Sequence, residues 1–265
     1  MPDSWNTTFL AAEPDALQVF NDLRGKRWMC RGQSSCYGGL VPSIDREPRQ
    51  HLSRVQKLTL ERRSIDLFRS TARFFADPGE QGALVNDIVA LMVLRHYGVP
   101  SRLLDWSLSP WVAAYFAIWK HDNEDGEIWT FDTSLYEKEG SKQWTKWPET
   151  TRNGDGINFV PALTAFTLEE PPPWFVCQYY QPGFHRQNAQ QSAYSMTARF
   201  GHTHDVAIAE LLMDSTRYHR YVITKKLKPK LREILREKHG VWRGSLFPDS
   251  AGAAETAKTV FHDGG

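Results

Sequence analysis

The sequence predicts a single α+β domain, a mixed or antiparallel sheet flanked by helices, with a short lead-in over residues 1–19 and the folded unit over 20–262. Three observations carry this prediction. Apolar residues recur at helical spacing up to Gly98, whereas short alternating runs follow from Gly126 onward, so the elements do not alternate as regular βαβ units. No internal repeat and no clear linker divides the chain. Its 265 residues, 41% of them hydrophobic, are enough to bury a sizeable core.

The lead-in, residues 1–15, is polar and reads as loosely held. A short helical pattern covers 16–23 and ends at Gly25. Residues 26–33 alternate and form the first predicted strand. Over 51–76, Val55, Leu58, Ile65, Phe68, Ala72 and Phe75 mark one face of a long amphipathic helix, stopped by Asp77-Pro78-Gly79. A second helix is predicted over 82–96, closed by Gly98 and Pro100. Ser109-Pro110 reads as an N-cap followed by a first-turn proline, opening a third helix to 120. Strands are predicted at 126–132, 174–179, 192–199 and 218–224. Helices are predicted at 202–215, 229–238 and 252–260. Residues 134–173 read as loops with a short helix, and Pro171-Pro172-Pro173 stiffens the approach to the next strand.

Composition excludes several functions. With 32 Lys+Arg against 31 Asp+Glu, the net charge of +1 creates no global field for nucleic acid or an anionic membrane. Three cysteines do not make a disulfide framework. The longest apolar stretch, 111–119, is too short to span a bilayer, and residues 1–10 show no secretory signal. A cytoplasmic protein with no membrane partner is expected. Ten tryptophans suggest aromatic-lined surfaces as well as core. The phosphate cradles GxGxxG and GxxxxGK[ST] are absent, as is GxSxG. His202-Thr203-His204 lacks further ligands, and no metal is expected. Asp249, Glu255 and Lys258 are poorly spaced for a nuclease carboxylate set, so a metal-dependent hydrolase is the least supported class.

Three segments are dense in functional side chains. In Trp28-Met29-Cys30-Arg31-Gly32-Gln33-Ser34, an arginine at a strand end beside glycine suits a phosphate or carboxylate, or else is surface charge. The run from Arg95 to Ala117 concentrates His96, Tyr97, Arg102, Asp105, Trp106, Ser109 and Tyr115. An internal Arg102–Asp105 ion pair competes there with a functional role for both residues, and His96 is either a site residue or a helix-cap partner. In 184–191, Arg186 and Gln190 belong to a polar run that reads as a solvated loop or a site segment. Arginine forks with tryptophan platforms suit a nucleotide or a nucleic-acid end, which makes a non-catalytic binding module with Arg31, Arg102 and Arg186 one reading.

Taken in order, WMCRGQS, LVPSIDR (40–46), LMVLRHYGVPSRLLDWSLSP, RQNAQQSAY and GVWRGSLFPDSAG (240–252) resemble the FRG-domain family over residues 20–260. The family's Phe-Arg-Gly motif stands here as Cys30-Arg31-Gly32. Arg95 stands where the family pattern has glutamine, and Ser192 where it has glycine. The resemblance implies a bacterial or phage-related setting, in conflict or defence. A second likeness, to the ADP-ribosyltransferase layout, implies an ADP-ribosyltransferase-like sheet. It also implies an NAD-consuming transferase or glycohydrolase that cleaves the nicotinamide–ribose bond, with NAD as co-substrate. By that likeness Arg31 holds the diphosphate or adenine ribose, Ser107 or Ser109 supports Arg31, and Trp106 or Tyr115 stacks on nicotinamide. Gln190 takes the third motif position, where a carboxylate is usual, and Asp105 or Glu210 supplies the charge. The expected catalytic set is Gln190, Asp105, Ser109 and His96. The expected nucleotide-binding set is Arg31, Gln33, Arg102, Trp106, Tyr115 and Arg186.

Overall fold

A computed structural model of the chain describes residues 5–25, 28–74, 78–134, 138–139, 175–178 and 185–258. Its strands are β1 (Asn6–Leu10), β2 (Trp28–Gln33), β3 (Leu103–Ser107), β4 (Gly126–Asp132), β5 (Phe175–Gln178), β6 (Ser192–Thr197) and β7 (Tyr218–Ile223). They form one mixed sheet in the order β1-β7-β4-β2-β3-β6-β5. Among the described strands, only the β1–β7 pair is parallel. The helices are α1 (Glu13–Asp22), α2 (Arg54–Ala72), α3 (Asp87–His96), α4 (Pro110–Ile118), α5 (His185–Gln190), α6 (His204–Leu212), α7 (Lys228–His239), α8 (Arg243–Leu246) and α9 (Ser250–Ala257). The α+β class read from the sequence is the class observed. Among the described residues, no helix is long and apolar enough to cross a membrane.

Local chemistry sets the helix ends. Ser53 and Gln56 form a reciprocal capping box at the start of α2. Asn86 accepts from the amides of Ile88 and Val89 at the start of α3, and Ser109 accepts from Val112 ahead of the Pro110 first turn of α4. Gly240, at φ +64°, ends α7 in a conformation that side-chain-bearing residues rarely adopt.

The pleat divides the core. On one face, α1, α4 and α7 cover Leu10, Cys30, Ile128 and Ile223. Beside them on the same face, α2 and α3 cover Leu103, Tyr194 and Met196. The opposite face buries Met29, Leu104, Trp106, Trp129 and Phe131 beneath Trp5 and α6. The two clusters of the first face meet where β2 and β3 adjoin. There the strands share a single registered pair, Cys30 with Ser107, while β2 pairs with β4 along its whole length. The sheet therefore opens between β2 and β3 beyond that pair.

Several sequence expectations are corrected. Within the lead-in, Asn6–Leu10 is the parallel edge strand beside β7 rather than loose chain. Residues 103–107, expected only as part of a polar site segment, form β3, a central strand too short to show alternation. Residues 185–190, read as loop, are a helical turn, and Arg243–Leu246 adds a short helix unanticipated from the sequence. On α2 the buried face runs through Lys57, Glu61, Ile65 and Ala72, while Val55 is 71% exposed. Two charges occupy positions that an apolar pattern assigns to hydrophobes. The expectations for 134–173 and the triproline fall on residues that, but for Ser134 and 138–139, lie outside those described.

Candidate functional site

The opening between β2 and β3 is a cleft of about 360 Å³. It is bounded by the end of β2, the C-terminal end of α3, the inner face of α4, α5 and the residue that follows α8. Helix α4 can lie there because Gly32 carries no side chain: a Cβ would sit 1.9 Å from the Ala113 carbonyl oxygen, and the same holds for Gly126 against Ala117. The glycine of the Arg-Gly pair thus admits a helix against the strand.

Four arginines line the cleft, Arg31, Arg46, Arg95 and Arg186, against one carboxylate, Asp105. Arg31 Nη1 donates to the Asp105 backbone oxygen at 2.5 Å and lies 3.8 Å from its carboxylate. Arg31 therefore bridges the gap where β2 and β3 part. Its Nε is buried without a partner among the described residues. Arg95 Nε donates to Asp105 Oδ2 at 2.8 Å, and its Nη1 to Ser43 Oγ at 3.1 Å. Arg46 is tied at the rim to the Val41 carbonyl. Arg186 pairs with Asp249 at 2.5 Å.

This crowding registers in the acidities. Burial, opposed by Asp105 and reinforced by Arg95 and Arg46, brings Arg31 down to about 10. Burial and then Arg95 lower Arg46. Burial, followed by the charge of Arg186, lowers His96 to about 4, so its imidazole is uncharged at neutral pH. Guanidinium groups gathered around an opening in this way suit an anion, which would relieve their mutual repulsion.

Of the residues expected from the sequence, Gln190, Asp105, His96, Arg31, Gln33, Trp106 and Arg186 line the cleft. Two of these are otherwise engaged. The Gln33 amide donates to Glu127 at 2.7 Å. The Trp106 ring packs edge-on against Phe131 in the opposite core. Gln190 donates to the Leu246 carbonyl at 3.0 Å, and its own carbonyl accepts from Ser107 Oγ at 2.7 Å.

Four expected residues are not among the cleft's lining. Arg102 is 1% exposed and forks onto Glu61, at 2.5 and 2.9 Å, with its guanidinium 4.2 Å from the Phe200 ring centre. The Arg102–Asp105 pair weighed from the sequence does not form: Arg102 takes Glu61, and Asp105 takes Arg95 and Arg31. Ser109 is the helix cap of α4. Tyr115 packs against Phe116 and Trp119. Glu210 instead pairs with His202.

A buried polar chain holds β3 in place. The Trp106 indole N–H can only donate, so Ser195 Oγ accepts from it at 2.6 Å and donates its own O–H to His204 Nδ1, also at 2.6 Å. His204 Nε2–H then donates to the Arg102 carbonyl at 3.2 Å, which requires the neutral imidazole. Burial, foremost, lowers His204 to about 3.

Residues 26–126 match the family model described as FRG domain. Over this span, which is less than half of its length, the chain is similar to the FRG domain. No curated protein and no solved structure matches the chain. The matched span of the FRG domain holds β2, α3, β3 and α4, and so three of the four cleft arginines, Asp105 and His96. Arg186, Gln190 and Phe247 come from beyond it. Sequence reasoning missed Arg46, Arg95, Phe116, Trp119 and Phe247. Arg95 carried a signal, since it stands where the family pattern has glutamine, and that departure adds a cation to the cleft. The aromatic residues gave none: Phe116 lies in the wholly apolar helix α4, and Trp119 and Phe247 each follow a helix end. Among the described residues, no group of three or more His, Cys, Asp or Glu side chains is placed to hold a metal.

Proposed function

We propose that this cleft binds NAD and that the chain is an NAD-consuming enzyme, an ADP-ribosyltransferase or NAD glycohydrolase of a bacterial conflict or defence system. The observation that carries the reading is the convergence of Arg31, Arg46, Arg95 and Arg186 on a concave site with one carboxylate and an aromatic wall of Phe116, Trp119 and Phe247. Guanidinium forks match a diphosphate, and flat rings match bases.

In that reaction the bond between the ribose carbon and the nicotinamide nitrogen breaks, its electron pair leaving with nicotinamide. Water or an acceptor nucleophile adds to the carbon and gives up a proton. The transition state resembles an oxocarbenium ion. Asp105 is the lining carboxylate that faces the developing positive charge. Gln190, held by Leu246, aligns a ribose hydroxyl, and the uncharged His96 is a base for the released proton. The arginines fix the substrate so that binding energy is spent on position.

A second reading, a non-catalytic nucleotide-binding module, is favoured by one observation. The Asp105 carboxylate is already neutralised by Arg95 at 2.8 Å and approached by Arg31, which weakens it as a partner for a cation. The two readings separate in one assay, nicotinamide release from NAD by purified protein beside Arg31→Ala. Release that falls in folded Arg31→Ala supports the enzyme. Saturable NAD binding without release leaves the binding module, and absence of both contradicts the proposal.

A further inference from the structure

Asp249 caps helix α9. Its backbone is extended, at φ −136° and ψ 168°, and its Oδ1 accepts from the Gly252 amide at 2.7 Å. Serine or asparagine caps a helix as well as aspartate does, so the cap by itself asks for no charge. The charge goes to the cleft. Asp249 Oδ2 accepts from Arg186 Nε at 2.8 Å and from Arg186 Nη2 at 2.5 Å. Burial acts to raise the Asp249 carboxyl, but the Gly252 amide and Arg186 outweigh it and hold it below the usual carboxylate range. It is therefore ionised at neutral pH.

Arg31 and Arg95 share a carboxylate of the cleft wall, whereas Arg186 takes one from the chain that follows α8. That chain has other ties. Gln190 donates to the Leu246 carbonyl at 3.0 Å, and Phe247 packs against Phe116 and Trp119 with ring centres 6.2 and 6.4 Å away. Asp249 is also 36% exposed, so breaking its pair with Arg186 costs little. The larger effect falls on the opening, where the carboxylate offsets one of the four guanidinium charges. We propose that Asp249 is an internal competitor for an anionic ligand: it occupies Arg186 until a phosphate group enters the cleft, and then gives it up. This rests on the reading of the cleft as an anion site. Asp249 acts whichever edge of the guanidinium the ligand takes, since its charge opposes any anion approaching the same group. The competitor lowers affinity for phosphate groups in general and favours ligands whose further contacts offset the loss of the pair.

The test is calorimetric titration of inorganic pyrophosphate into the parent, Asp249→Asn, Arg186→Gln and the double variant, each checked for folding by thermal melting. Asparagine keeps the cap and removes the charge. Asp249→Asn should bind pyrophosphate about two- to fivefold more tightly than the parent, the range of a half-exposed ion pair that no longer has to break. Arg186→Gln should bind it more weakly than the parent. In that background the gain from Asp249→Asn should shrink, because no pair remains to be exchanged. Unchanged or weaker binding in Asp249→Asn overturns the competitor and leaves the anion site standing, with the pair a structural tie. A gain equally large in the Arg186→Gln background also overturns it, by assigning the effect to general charge. Pyrophosphate binding by none of the four proteins overturns the anion reading of the cleft together with the proposal.

Discussion

Arg102 and Asp105 are three residues apart, yet they belong to two regions built on opposite principles. Beneath α2, each cation has its own carboxylate and both are sealed: Arg102 with Glu61, and Lys57 with Asp45 at 2.6 Å, all under 10% exposed. In the cleft, Arg31 and Arg95 share Asp105, which is 38% exposed, and Arg46 crowds the same space. Charge balanced within the protein holds the fold together. Charge left in excess around an opening is suited to a ligand that is not part of the chain.

That contrast breaks first at Glu61. Glu61→Ala strands the buried Arg102 guanidinium and should cost about 3–5 kcal/mol of stability, measured by denaturant unfolding. Replacing the pair together, Glu61→Leu with Arg102→Met, should recover most of that loss. If the single variant unfolds like the parent, the pair is not what secures α2 to β3.

Acidification should act next. His96 and His204 titrate at about 4 and about 3 in the fold, against about 6.5 in an unfolded chain. Unfolding therefore takes up protons below pH 6.5. The stability they contribute is full above that pH and declines as pH falls through 4 toward 3. Unfolding curves collected across this window should show the decline, and it should be shallower in His96→Gln.

In the cleft, Arg95→Gln should leave stability within about 1 kcal/mol of the parent, since its partner is partly solvated. It should also weaken pyrophosphate by roughly tenfold or more, through the loss of a charge-assisted contact. A large stability loss without an affinity loss would place Arg95 with the structural pairs. The smallest effect is expected at Asp249→Asn, which keeps the cap on Gly252 and removes only a half-exposed pairing with Arg186. Its unfolding midpoint should shift by less than about 1 kcal/mol equivalent.

How far the sequence could be read follows from the same contrast. Elements with caps or clean periodicity were legible: α4 from Ser109-Pro110, and β2 and β4 from alternation. The strand β3 was hidden because it is five residues long and carries Asp105 in its middle. The edge strand β1 was hidden by its polar composition, with four of its five residues exposed. At the site, Arg31, His96, Asp105, Arg186 and Gln190 stood out as polar residues in dense segments, and the structure brings them to one cleft. Arg102 stood out equally, but its partner Glu61 lies 41 residues away on a helix face, and spacing within a motif cannot reveal that. Trp119 and Phe247 come together only through the return of α8 to α4.

The most direct test of the central claim, that the unbalanced arginines form a nucleotide site, is calorimetric titration with NAD at low and at physiological ionic strength. The account predicts saturable heat whose affinity falls as salt rises and is lost in a folded Arg31→Ala variant. A flat trace up to millimolar NAD at low salt would contradict it.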